Sequence, residues 1–307
     1  MRILMITLSL LALVSCAQVQ AQDDSFAIES LGDGIYVHHG VHLDIDDGYQ
    51  GDICNASFIV GSKGVAVIDT GGSFKVGKQL REAIRKITPL PVIYVINTHV
   101  HPDHIYGNAA FLNDKPQFIG HDKLANAMEL RHEAYAKLNA RLLGSDAQAS
   151  ELVKPTMTVK TTLELDLGDR KLTLTAHPVA HTNTDVSVIE SKAGTLFTGD
   201  LLFIERTPVL EGDIKGLITE VQKLKNSPAK QVVPGHGPVT KDWIVALNND
   251  ERYLTILLTD IRASIKKGES MESTMNTAAA SEKGKWLLFD IANRRNVNTI
   301  YPALEWE

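Results

Sequence analysis

The chain has 307 residues, 44% of them hydrophobic and 22% charged, which is enough to bury a substantial core. Its formal net charge of −6 is spread in mixed signs without a long basic run, so the electrostatic footprint of a nucleic-acid binder is missing and no such partner is expected. Its two cysteines, Cys16 and Cys54, exclude a disulfide framework, and Cys54 reads as a small buried thiol.

The chain opens with "MRILMITLSLLALVSCAQVQAQDD". One early positive charge, Arg2, precedes an apolar stretch from Ile3 to Ala17, and small and polar residues follow. This reads as a signal peptide over residues 1–21. Leu13 to Cys16 resemble a bacterial lipobox with Cys16 as the lipidated residue, while "VQA", ending at Ala21, suits an ordinary signal peptidase. Either way export is expected, to the periplasm or to a membrane face turned towards it. A lipid on Cys16 would be the sole membrane attachment, because no second run of 18 or more apolar residues exists.

Residues 22–307 are expected to form one domain, since no shift in composition marks a boundary. "GIYVHHG", "NASFIVG" and "GVAVIDTGG" are short apolar runs bounded by glycine, as strands are. A helix is predicted from about Lys75 to Arg85, followed by the strand "PVIYVINT". Strand, helix and strand in succession give an α/β rhythm. Asp122 to Leu143 read as a long helix. "MTVKTTLELDLGDRKLTLTAHPV" alternates and turns at Gly168 and Asp169, as a hairpin does. "DVSVIE", "GTLFTGD" and "KQVVPGHGPV" are further strands, and from Thr240 onward the pattern is mostly helical.

Just past the predicted strand ends sit His99, His101, Asp103 and His104 in "THVHPDH", His181 in "VAHTNTD", Asp200 in "LFTGD" and His236 in "VPGHG". Loops at strand ends are where a rigid scaffold places chemistry. Five of the eleven histidines belong to this set. Imidazole and carboxylate suit zinc, with iron or manganese as alternatives. In an extended segment His99 and His101 point the same way and can converge on one metal. Pro102 then stiffens a turn, so Asp103 and His104 can address a second. His181 and His236 supply the third ligand of each set, and Asp200 has two oxygens with which to bridge. A lone "PGHG" would be weak evidence. A chance match to His-x-His-x-Asp-His in this composition is on the order of one in a thousand.

In these motifs the sequence resembles the metallo-beta-lactamase-fold hydrolases. "VIDTGG", "THVHPDH", "AHTNTD", "FTGD" and "PGHG" stand in the family's order. The resemblance implies a four-layer αββα sandwich with the metals along one edge of its two sheets. It also implies that Asp69 braces the metal loop without being a ligand. More narrowly, "NTHVHPDHIYGNAAF", "GTLFTGDLLF", "PVLEG", "KQVVPGHG" and the ending "ALEWE" resemble the exported quinoprotein relay system zinc metallohydrolases. A departure matters here. The best-known zinc beta-lactamases have cysteine at the position of Asp200 and a lysine three residues on that can hold the substrate carboxylate. This chain has Phe203 there, which cannot make that contact.

What the resemblance implies is hydrolysis of a small-molecule ester, thioester, lactone or lactam. Two zinc ions would activate a bridging hydroxide oriented by Asp103. Two other classes fit the same residues. One is an iron-dependent sulfur or persulfide dioxygenase, since two histidines and a carboxylate suit ferrous iron. The other is a non-catalytic metal-binding partner of a quinoprotein system. Outside the cluster, His38, His39 and His42 with their acidic loop are expected to be solvated. His121, His132 and Tyr135 are expected to pack or face water in a helical insertion that covers the site, Arg294 and Arg295 to face water, and His177 to be structural.

Overall fold

The computed structural model describes residues 26–45 and 47–307; the leader and both of its cleavage motifs lie outside them. Strands β1 (Glu29–Gly32), β2 (Ile35–His38), β3 (Ala56–Val60) and β4 (Val65–Ile68) form an antiparallel meander. Helix α1 (Phe74–Ile87) then carries the chain back, so that β5 (Val92–Ile96) lies parallel to β4. The helix starts where Ser73 Oγ accepts the Val76 N–H at 3.2 Å. It buries Val76, Leu80 and Ile84, a spacing of four that keeps one stripe inward. The short α2 (Pro102–Ile105) follows, then β6 (Gln117–His121), α3 (Leu124–Leu143) and β7 (Met157–Val159). With β6 and β7 running parallel to β5, the seven strands lie in sequence order in one sheet.

The second sheet has the order β12-β11-β10-β9-β8. Strands β8 (Thr162–Asp166), β9 (Lys171–Ala176), β10 (Val186–Glu190) and β11 (Thr195–Phe203) are antiparallel. Helix α4 (Ile214–Leu224) crosses over so that β12 (Gln231–His236) runs parallel to β11. The chain ends in α5 (Trp243–Lys266), α6 (Met271–Thr277) and α7 (Phe289–Glu305).

Alternation along the strands makes this a four-layer sandwich. On β4, Ala66 and Ile68 face the second sheet and pack with Leu172, Val186, Phe197 and Val233. Val65 and Val67 face the other way, onto Leu80 and Ile84 of α1. Both faces are covered, so the strand is apolar throughout. On the far side, Leu196, Leu201 and Leu202 of β11 pack under Leu217, Leu254 and Val297 of α4, α5 and α7. The expected αββα architecture is present. One expectation is corrected: the segment read as one hairpin divides between the sheets. Met157–Val159 pairs with β6 in the first sheet, and only β8 and β9 make the hairpin, turning at Gly168 with φ 96°. Alternation alone does not distinguish a strand that stays in its sheet from one that leaves it. Among the described residues, no helix is long and apolar enough to cross a membrane.

Candidate metal centre

Strands β5, β10, β11 and β12 deliver the chemistry to one edge of the sandwich. His99, His101, Asp103 and His104 follow β5, His181 precedes β10, Asp200 lies in β11, and His236 ends β12. All seven converge. His101 Nδ1 is 3.0 Å from both His99 Nε2 and His181 Nε2. Asp200 Oδ2 lies 3.7 Å from His99 Nε2, 3.3 Å from His181 Nε2 and 3.4 Å from His236 Nε2, and its Oδ1 lies 3.3 Å from His104 Nε2. Asp103 Oδ2 is 3.4 Å from His104 Nε2 and 3.5 Å from His236 Nε2.

These separations test whether a metal fits. Ligands about 2.0–2.1 Å from a tetrahedral ion stand roughly 3.3–3.4 Å apart, close to the spacings here. Two overlapping groups could hold an ion, His99, His101, His181 and Asp200 on one side and His104, Asp200 and His236 on the other. Asp103 also stands within ligand distance of His104. Buried His104 Nε2 and Asp200 Oδ1 have no hydrogen-bond partner. Leaving such atoms unsatisfied is costly, and a cation between them removes the cost. Each of the two groups offers a donor set that fits a divalent ion, and Asp200 belongs to both.

The electrostatics agree. Burial lowers the His99 imidazole well below its ordinary pKa and brings His181 to about 4, so both are neutral near pH 7, the form that ligates. Burial also works against a proton on His104, yet the carboxylates of Asp200, Asp103 and Asp69 hold its pKa well up. That clustering of negative charge calls for a positive one, whether proton or metal.

Several of these side chains are held from behind. Asp69 adopts φ 55°, uncommon for a residue with a Cβ. In that conformation it accepts from Thr98 N at 2.8 Å, Thr98 Oγ1 at 2.7 Å and His104 Nδ1 at 2.7 Å. His181 Nδ1 donates to the Val209 carbonyl at 2.7 Å and His236 Nδ1 to that of Ile53 at 2.6 Å. Asn55 clamps the last loop through the carbonyls of Pro234 and Gly237. Gly235 lets that loop pass the centre, since a Cβ there would sit 1.9 Å from Asp200 Oδ1. Cys54 is buried as expected, and its thiol donates to the Asp103 carbonyl at 2.8 Å. Burial pushes its pKa well up, so it stays a thiol.

The model of the metallo-beta-lactamase superfamily matches residues 49–236. This chain belongs to that superfamily. The fold of this metallo-beta-lactamase superfamily member is similar to that of a metallo-beta-lactamase from Pontibacter korlensis, at 20% identity and TM-score 0.61, covering 75% of this chain and 98% of that one. It is also similar to the stereoselective inverting sec-alkylsulfatase Pisa1 from Pseudomonas sp., at 15% identity and TM-score 0.71, covering 90% of this chain and 50% of that one. A Caenorhabditis elegans protein, the Beta-lactamase-like protein 2 homolog, is 27% identical over 211 residues, 69% of this chain and 64% of that protein. The chain thus spans less than two thirds of the length of the curated relatives it matches.

Two residues of this superfamily member escaped the sequence reading. Glu211 Oε2 lies 2.7 Å from His101 Nε2, and Arg131 of α3 binds the same carboxylate, its Nε at 3.0 Å. Burial would raise the Glu211 pKa, but His101 and Arg131 outweigh it and bring it to about 2. Glu211 was within sight only as part of "PVLEG".

Of the residues expected in solvent, His38 is buried and bonded to Asp52 at 2.7 Å, while His39 pairs with Glu29 at 2.6 Å on the surface. His42 is partly covered, 3.6 Å from Glu205. His121 is buried and accepts the Lys123 N–H; His132 is exposed, and Tyr135 packs near Tyr106. His177 is held between Glu220 and Ser187 at 2.8 Å each. That chain of three superficially resembles a nucleophile, base and acid. Ser187, however, is paired within the β9–β10 ladder and His177 N donates to the Asp185 carbonyl, so neither backbone offers a donor to an oxyanion. The network ties α4 to the sheet. Phe203 is fully buried and stacks on His236, with ring centroids 5.3 Å apart.

Proposed function

We propose that this chain is an exported dinuclear zinc hydrolase acting on an ester, thioester, lactone or lactam. The observation that carries the reading is the pair of overlapping ligand groups joined through Asp200, with two buried ligand atoms left without a hydrogen bond. His99, His101 and His181 would hold one ion, Asp103, His104 and His236 the other, and Asp200 both. Two zinc ions held there would supply a water of lowered pKa and a Lewis acid for the group under attack.

The chain's own residues complete the arrangement. The side chains of His101 and Asp103 are 15% and 14% exposed, against 4% or less for His99, His104, His181, Asp200 and His236. Substrate and water therefore approach over His101 and Asp103. The Asp103 carboxylate, held ionised despite burial by His104 and His236, accepts the proton of an approaching water in a hydrogen bond and so orients it. Phe203 under His181 and His236 keeps water from the rear of the centre. Export rests on the leader, with Arg2 before the apolar run from Ile3 to Ala17. A quinoprotein partner rests only on the narrower resemblance of "KQVVPGHG" and "ALEWE".

The test is metal content per chain of the purified protein, beside turnover of a thioester, a lactone, a simple ester, nitrocefin and an alkyl sulfate. The last two correspond to the named activities of structural neighbours. Two zinc ions with turnover of an ester, thioester, lactone or lactam is the expected result. One iron with oxygen consumption on a persulfide would move the protein to the oxygenases.

A further inference from the structure

A cavity of about 530 Å³ opens beside His101 and Glu211, within the size range of small-molecule sites. Val209, Leu210, Met275 of α6 and Ile291 of α7 give it apolar walls. Ile291, Arg294, Arg295 and Asn298 also line it. They recur three or four residues apart, so one face of α7 forms that wall.

The charges in this cavity can be accounted for one by one. Glu211 is matched by Arg131 and His101. Arg295 makes two hydrogen bonds to Asp44, at 2.8 and 3.1 Å. Arg294 is exposed and bonds only to the neutral amide oxygen of Asn276, at 2.5 Å, and no carboxylate among the described residues pairs with it. Among the charged side chains that line the cavity, Arg294 is therefore the one whose charge is left for a ligand. A guanidinium offers a planar fork that matches a carboxylate.

We propose that this cavity receives the acyl part of the substrate and that Arg294 binds a carboxylate on that acyl chain. The preferred substrate would be an ester or thioester whose acyl group carries a second, anionic end, with the alkyl stretch lying against Met275 and Ile291. The proposal rests on the hydrolase reading above. Arg294 is exposed, as expected of it, whereas Arg295 is partly buried against Asp44.

Two 4-nitrophenyl esters with the same six-carbon acyl chain provide the test, the neutral hexanoate and the adipate monoester. With the zinc-loaded full-length protein, kcat/KM should favour the adipate ester about tenfold or more, mainly through KM. Arg294→Gln should bring that ratio close to one, and Arg294→Lys should restore part of it. A second readout needs no turnover: calorimetric binding of adipamate against hexanamide, with the same preference expected in the wild type and its loss in Arg294→Gln. If neither ester nor any substrate of the panel above is hydrolysed but adipamate is still preferred in an Arg294-dependent way, the hydrolase reading fails and the anion subsite stands. No adipate preference in the wild type, or one that survives Arg294→Gln in a variant of unchanged Tm, overturns the subsite.

Discussion

Nε2 of His101 lies 2.7 Å from Oε2 of Glu211, so the ring turns its other nitrogen towards His99 and His181. Arg131 reaches across from α3 to hold the same carboxylate. The helical insertion is thereby tied to the orientation of a ligand, and Glu211→Gln should loosen it. The zinc affinity of the site formed by His99, His101 and His181 should fall roughly 10–100-fold, with a smaller effect on the other site. Competitive zinc titration reads both steps. Equal affinities in wild type and variant would reduce Glu211 to a surface ion pair.

Asp103 is the more accessible of the two clustered carboxylates and stands between His104 and His236. Asp103→Ala should therefore lower kcat by about two orders of magnitude or more and reduce zinc from two ions per chain towards one. Metal analysis and steady-state kinetics on the same preparation separate the two effects. A variant that keeps both ions and full turnover would remove Asp103 from the mechanism.

The seven clustered residues were legible in the sequence because they stand beside or within short apolar strands, and four of them fall within six positions, residues 99–104. The layers were legible from the strands, since β4 is apolar on both faces as a strand covered on both sides must be. Glu211 and Arg131 were not. Their contacts span 110 and 80 residues, and no periodicity encodes where a loop after β11 meets a helix after β6. Arg294 and Arg295 read as surface residues because a charged pair on a helix usually is one. Only the packing of α6 and α7 beside Leu210 turns that face into a cavity wall. Cys54 was recognisable as buried, while its contact with the Asp103 carbonyl depends on folding across 49 residues.

Gly235 tests the closeness of β12 to the centre. A Cβ at that position would sit 1.9 Å from Asp200 Oδ1 and 2.8 Å from the Gly199 carbonyl carbon, and the second of these is backbone that cannot swing aside. Gly235→Ala should displace the shared carboxylate, cost about 1–3 kcal/mol of stability and lower occupancy of both metal sites together. Thermal unfolding and zinc content check it. Loss of one ion alone would mean that Asp200 is not shared.

Glu282 governs the acid end of the stability profile. Its side chain is fully buried against α5, where burial alone would raise its pKa. The Arg252 guanidinium, the Lys285 ammonium and the Trp286 indole N–H outweigh that and bring it to about 2. A folded-state pKa below the unfolded value means that the stabilisation is complete above about pH 4.5 and disappears as pH falls towards 2. By linkage it amounts to up to about 3 kcal/mol. Glu282→Gln removes the charge but keeps the shape, so its deficit against wild type should be largest at pH 7 and shrink steadily between pH 4.5 and 2. Urea midpoints for both proteins across that range measure the deficit directly. A deficit that stays constant with pH would show that the glutamate acts through packing, and that its charge contributes nothing to holding α5 against the 280–286 turn.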